Sequence, residues 1–111
     1  LMQGTILYDY GDMIRSYTNT KPEDDPNPEG VFNADLYRAL TDGFLSETRS
    51  FLTKVELENL PYAPQVIIYI QALRFLTDYL NGDVYYQCSY PEQNLNRTKN
   101  QINLLKNILK V

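Results

Sequence analysis

Histidine is missing from this chain altogether, cysteine occurs once, at Cys88, and the five glycines are scattered singly as Gly4, Gly11, Gly30, Gly43 and Gly82. Each shortage closes a route to chemistry. Without imidazole the chain has neither the commonest general base nor the commonest metal ligand, and a lone thiol completes no zinc site and no internal disulfide. Glycines this far apart make no phosphate-cradling loop. A catalytic thiol needs an activating base, whereas the sequence neighbours of Cys88 are tyrosines and a serine, so packing is its economical role. The run Cys88-Ser89-Tyr90-Pro91-Glu92 also fails the Cys-x-Pro-x-Arg pattern that sulfate-ester hydrolysis by a modified cysteine requires.

Basic charge is short as well. Ten Lys and Arg stand against fourteen Asp and Glu, a net charge of −4. That balance offers no excess with which to neutralise a phosphate backbone, and it argues against nucleic acid as a partner. No stretch approaches the ~20 continuous apolar residues of a membrane span, and the start Leu1-Met2-Gln3-Gly4 is not that of a secretory signal. The expectation is a cytoplasmic chain with no membrane partner. A beginning without an initiator Met suits a piece of a longer protein. With 111 residues, 43% of them hydrophobic, the chain is expected to form a single helical subdomain over 1–111. Such a domain buries roughly 60–70% of the surface its unfolded form exposes.

What is present is helical periodicity. Ile6, Leu7, Tyr10, Met13, Ile14 and Tyr17 recur at spacings of three and four, which predicts a first helix despite Gly11. Thr18 to Gly30 carries Pro22, Pro26 and Pro28 among four acidic residues and reads as an exposed loop. Asn33 is placed to cap a second helix with Leu36, Tyr37, Leu40, Phe44 and Leu45 as its buried stripe, ending between Ser46 and Ser50. Thr53 and Glu56 have the spacing of a capping box, which starts a short helix limited by Pro61 and Pro64. Val66 to Leu80 is apolar on most sides and reads as the central helix, ended by Asn81-Gly82. Pro91 suits the first turn of a last helix with Leu95, Ile102, Leu105 and Leu109 as its buried stripe. The fold class is all-α, a bundle of four or five helices.

Three places ask for more than packing. Asp9 and Asp12 flank Gly11 near the start of the first helix, where carboxylates serve the positive helix end. Arg74 sits in the most apolar helix, so its guanidinium needs either a carboxylate, such as Asp78 four residues on, or a ligand. Tyr85, Tyr86 and Tyr90 form an aromatic cluster able to stack on a sugar ring, though in a chain with ten tyrosines core and surface packing is the simpler reading. Asn96-Arg97-Thr98 matches a glycosylation acceptor but falls within a predicted helix, and is read as chance.

The segment Gly4-Thr5-Ile6-Leu7-Tyr8-Asp9-Tyr10-Gly11-Asp12-Met13-Ile14-Arg15 resembles the stretch just after the metal-binding aspartate in the aminoglycoside-phosphotransferase and choline-kinase-like superfamily. Within it the chain looks most like the N-acetylhexosamine 1-kinase group. Arg74-Phe75-Leu76-Thr77-Asp78-Tyr79-Leu80-Asn81-Gly82-Asp83 and Tyr90-Pro91-Glu92-Gln93-Asn94-Leu95-Asn96-Arg97 extend the resemblance along the whole chain. It departs at Gln3, where relatives usually have proline, and at Ser16-Tyr17, where an aromatic followed by a small residue is expected.

The resemblance implies the helical C-lobe portion of a protein-kinase-like fold, whose parent transfers the ATP γ-phosphate to the anomeric hydroxyl of an N-acetylhexosamine. Such catalysis rests on Mg²⁺ and a catalytic-loop aspartate. The resemblance places both, with the nucleotide lobe, before Leu1. This portion is then inactive alone, with no catalytic residue, no metal ligand and no cofactor of its own; ATP and Mg belong to the parent. Carried over by position, Asp9 is the buried carboxylate that braces the catalytic loop, Arg74 is a sugar contact, and Arg15, Ser16 and Tyr17 wall part of the acceptor site. Implied partners are the small-molecule sugar and the N-terminal part of the same protein. Self-association is expected through apolar positions of the first helix such as Ile6, Tyr10 and Ile14. The alternative is a stand-alone helical protein-interaction module without catalytic activity.

Overall fold

The computed structural model describes residues 3–111 and contains five helices in the order α1 (Gln3–Thr18), α2 (Ala34–Thr48), α3 (Lys54–Asn59), α4 (Tyr62–Leu80) and α5 (Gln93–Ile108). The chain is all-α. Among the described residues the only β pairing is one isolated antiparallel bridge, Asn19 to Phe32, and no helix is long and apolar enough to cross a membrane.

The helix ends follow the capping chemistry. Asn33 accepts a hydrogen bond from the Leu36 N–H and starts α2. At α3 the capping box closes both ways: Thr53 N–H donates to Glu56 at 2.7 Å and Glu56 N–H donates to the Thr53 hydroxyl at 3.1 Å. The prolines correct the expected boundary. Pro61 does stop α3, but it is also the N-cap of α4, and Pro64 lies inside the first turn of that helix. A first turn has no use for those amide protons, so proline costs nothing there. Pro91 behaves otherwise, lying outside α5, which begins at Gln93 after Glu92.

α4 is the centre of the molecule, packed against both α1 and α5, with α2 lying on α1. Gly11 makes the α1–α4 approach possible, because a Cβ there would sit 2.9 Å from the Ala63 carbonyl oxygen. The core joins Tyr10 and Ile14 of α1, Leu60, Ile68 of α4, and Leu104 and Ile108 of α5. Tyr10 and Ile14 are therefore buried, at 1% and 0% exposure, and are not the uncovered positions the sequence suggested. The Tyr10 hydroxyl finds Thr41 at 2.8 Å, and its ring lies against Phe44. Burial pushes its pKa up to about 12; the nearby Tyr37 adds to the rise, and the Thr41 hydrogen bond offsets part of it.

α5 departs most from its predicted face. Leu104 and Ile108 are buried as an apolar stripe would be, but the rest of its buried side is polar: Asn94, Arg97, Thr98, Asn100 and Gln101. Leu95, Ile102 and Leu105 are only half-buried and Leu109 is exposed. The cause is the acidic proline loop, which lies against α5. Asn100 donates to the Pro22 and Asp25 carbonyls and accepts from Asn19 at 2.6 Å, and Asn103 donates to the Pro26 carbonyl. Backbone groups without a regular partner need side-chain amides when they are buried, and this face supplies them.

Candidate functional site

The residues that could meet a ligand gather where α4 ends. Asn81, Gly82 and Asp83 close the helix with paired reversed bonds: Gly82 N–H donates to the Tyr79 carbonyl and Asp83 N–H to that of Asp78. Both Gly82 and Asp83 have positive φ, 92° and 61°. For glycine this is free; for Asp83 it is a conformation that only short polar side chains adopt readily. The turn sends residues 84–86 back over the last turns of α4. An open cleft of about 370 Å³ lies between them, lined by Ile70, Leu73, Arg74, Thr77, Asp78, Asn81, Val84, Tyr85 and Tyr86.

Asp78 organises this end of the molecule. Only 5% exposed, its carboxylate accepts from Tyr85 N–H at 2.7 Å, Tyr86 N–H at 3.0 Å and Asn94 Nδ2 at 2.8 Å. Burial alone would raise its pKa, but the hydrogen bonds from the Tyr86 and Tyr85 amides and the Asn94 side chain, with a smaller effect of the nearby Val84 amide, outweigh that and hold it below the ordinary carboxylate value. Behind it Asn94 also donates to Asp83 and accepts from Arg97 Nη1 at 2.9 Å. Arg97 donates further to the Gln87 carbonyl, lies over the Phe75 ring, and pairs with Glu23. Its Nε is 3.0 Å from the Glu23 carboxylate but off line for a hydrogen bond, so that contact is an ion pair only. Cys88 is half-buried beside Arg97 and the Tyr86 carbonyl, a packed thiol.

With Asp78 engaged by amides, Arg74 is left to the cleft. The two are four residues apart, yet among the described residues no ion pair joins them; Arg74 is exposed and lines the cleft beside Asp78. The Tyr85 and Tyr86 rings meet edge to face at 4.8 Å, and Tyr86 stacks at a tilt on Phe75 while its hydroxyl accepts from Gln71. Tyr85 is 73% exposed, a free aromatic face. Tyr90 stands apart from this pair, hydrogen-bonded to Asp24 of the acidic loop.

The other candidates lie elsewhere. None of Arg15, Ser16 and Tyr17 lines the cleft. Arg15 is paired with Asp12 at 2.8 Å, and Ser16 and Tyr17 are exposed at the end of α1. Asp9 is not buried in this chain; it is exposed on α1. Nor do Asp9 and Asp12 serve a helix start, since α1 begins at Gln3 and its first turn holds no acid. Among the described residues no three His, Cys, Asp or Glu side chains come together as a metal-binding group.

A second surface feature runs along α4. Tyr62, Val66, Tyr69, Ile70 and Leu73 are each 43–58% exposed, and the helical spacing puts them on one side. Tyr8 of α1 joins them at a shallow hollow of about 340 Å³ with Leu7, Asn59, Tyr62, Ala63, Val66 and Ile67. The uncovered apolar surface thus belongs to α4, and not to the Tyr10–Ile14 side of α1. Sequence reasoning missed Asp78 as an amide acceptor and Asn94 as its partner. The available signal was a carboxylate in an apolar helix four residues before Gly82, followed by a helix rich in asparagine. No protein-family model matches the chain.

Proposed function

We propose that this chain is the acceptor-binding helical part of a sugar-kinase-like phosphotransferase of the N-acetylhexosamine 1-kinase type, inactive as an isolated piece. The observation that supports this reading is the cleft at the end of α4, where Arg74 is spared from Asp78 and shares the lining with Tyr85. A guanidinium offers several fixed donors to ring hydroxyls or an acetamido carbonyl, and an aromatic face accepts the C–H side of a sugar ring. Arg74 is the sugar contact in this reading. Arg15, Ser16 and Tyr17 contribute to an acceptor wall only when the rest of the parent stands against α1, and Asp9 braces the catalytic loop under the same condition. ATP and Mg belong to that parent, and no step through them is drawn from this chain. The site is cytoplasmic in this reading.

The test is an NMR titration of the chain with N-acetylglucosamine and N-acetylgalactosamine, with choline as the comparator. Saturable shifts at Arg74 and Tyr85 with the sugars, lost in Arg74→Met at an unchanged melting temperature, are expected. Equal shifts with choline, or none with any of the three, would remove the sugar reading. Incubation with ATP, Mg²⁺ and either sugar should yield no sugar phosphate.

The stand-alone interaction module is favoured by one specific observation, the apolar side of α4 from Tyr62 to Leu73. In the kinase reading the same side packs against the parent. Sedimentation separates the two when the parent sequence is present: a module keeps this side open for other proteins, whereas Val66→Glu in a two-lobed parent breaks the parent's own packing.

A further inference from the structure

We infer that Asp78 is the positioning residue of the cleft: its buried carboxylate holds the main chain of Tyr85 and Tyr86 and so sets the wall that a ligand bound at Arg74 would meet. The role of a sugar as that ligand rests on the reading above; the clamp itself does not.

Tyr86 is also anchored by its ring on Phe75 and its hydroxyl on Gln71, but the rest of the wall has no such support. Val84 and Tyr85 are 80% and 73% exposed, so packing does not hold them. What holds them is a pair of successive amides converging on one carboxylate, Tyr85 N–H on Oδ1 at 2.7 Å and Tyr86 N–H on Oδ2 at 3.0 Å. Each oxygen takes its own donor, so the peptide between the two residues is fixed in orientation, and with it the direction in which each ring leaves the chain. Only an ionised acid accepts on both oxygens. An amide at position 78 would turn an N–H₂ toward one of the two N–H groups, donor against donor. Asn94 completes the arrangement by donating to Oδ2 at 2.8 Å while holding Asp83, so the carboxylate keeps its orientation. The clamp also explains the freedom of Arg74. A carboxylate already satisfied by three donors does not need the guanidinium one turn away, and the charge stays available to a ligand.

Amide hydrogen exchange tests the clamp in the unaltered chain. Tyr85 and Tyr86 should exchange at least tenfold more slowly than Gln87, whose N–H donates no bond to Asp78. In Asp78→Asn that protection should fall to the level of Gln87 while Ile68 and Ala72 in α4 keep theirs. Equal exchange at Tyr85, Tyr86 and Gln87 in the unaltered chain would overturn the inference, whether or not the variant folds. The same samples titrated with N-acetylglucosamine give the second readout, an expected tenfold or greater weakening in Asp78→Asn. A clamp that is present and lost in the variant, with no sugar response in the unaltered chain, would sink the sugar reading and leave the positioning role supported. Full sugar affinity in a folded Asp78→Asn that has lost its Tyr85 and Tyr86 protection would show that the clamp positions nothing the ligand needs, and would overturn the inference.

Discussion

A glycine in the middle of a helix is ordinarily a weak point, and replacing Gly11 by alanine should on propensity alone stabilise α1 by about 1 kcal/mol. The structure reverses the sign. A Cβ on Gly11 would lie 2.9 Å from the Ala63 carbonyl oxygen, 2.9 Å from Ile67 Cγ1 and 3.0 Å from the Ala63 carbonyl carbon. Two of these are backbone atoms of α4 and cannot rotate away, so α1 and α4 must separate by about half an ångström in a close-packed core. Overpacking of this kind costs about 1–3 kcal/mol and the separation would also loosen Tyr10, Ile14 and Ile68, which share the core. The upper part of that range applies because the contacts are with main chain, leaving a net loss of about 1–2 kcal/mol after the propensity gain. For a domain of this size that is a fall in melting temperature of roughly 4–15 °C. Gly43 provides the control, since a Cβ there meets nothing within 4 Å on the exposed side of α2. Gly43→Ala should raise stability by about 0.5–1 kcal/mol, through helix propensity and a less entropic unfolded chain. Thermal and urea melts of both variants decide the matter. A Gly11→Ala chain that melts at or above the unaltered one would show that α1 and α4 are not so close.

Arg97→Met should cost about 2–4 kcal/mol, because it strands the buried Asn94 side-chain oxygen and frees the Gln87 carbonyl. Glu23→Gln should cost less than about 1 kcal/mol, since the Glu23 side chain of that pair is 55% exposed; urea midpoints of the two variants that coincide would refute the ranking. Acid should act on Asp78 with a defined sign. Its folded pKa lies below the ordinary 3.8, so the stabilisation it gives is full above 3.8 and is lost as pH falls through the lower, folded value. The stability gap between the unaltered chain and Asp78→Asn, followed by urea titration, should hold at neutral pH and close only below 3.8. A gap that closes above that pH would mean the amide bonds do not favour the ionised form.

Helices and caps were legible in the sequence where local rules decide them. Asn33, the Thr53–Glu56 box and the Asn81-Gly82 stop all form as their spacing requires, because each is closed by bonds within a few residues. Boundaries next to proline were less so. Pro64 is compatible with the end of one helix or the first turn of the next, and what selects the second is tertiary: it is buried, with Leu60 and Ile68 of the core on either side in sequence. The buried face of α5 was illegible for a stronger reason. Periodicity takes apolar residues as the inward ones, and Leu95, Ile102, Leu105 and Leu109 do share a spacing, but the acidic loop brings backbone carbonyls to this helix and makes Asn100 and Asn103 the better contacts. No window along α5 contains the information that residues 22–26 will lie on it.

The same distinction separates Arg74 from Asp78 at the cleft. An arginine four residues from an aspartate on one helix suggests a pair, since the residues share a face and their charges attract. Whether the pair forms depends on what else reaches the carboxylate. Asp78 points toward the 82–86 turn, whose positive φ values at Gly82 and Asp83 fold two amides back onto it, and those amides arrive already oriented by the chain reversal. A flexible guanidinium must give up side-chain entropy for the same contact and gains little at an exposed position. The turn therefore takes the acid and Arg74 remains exposed. The chemistry of this end of the molecule follows from that competition: the negative charge is spent inside on the loop, and the positive charge and the Tyr85 ring are left facing solvent in one cleft.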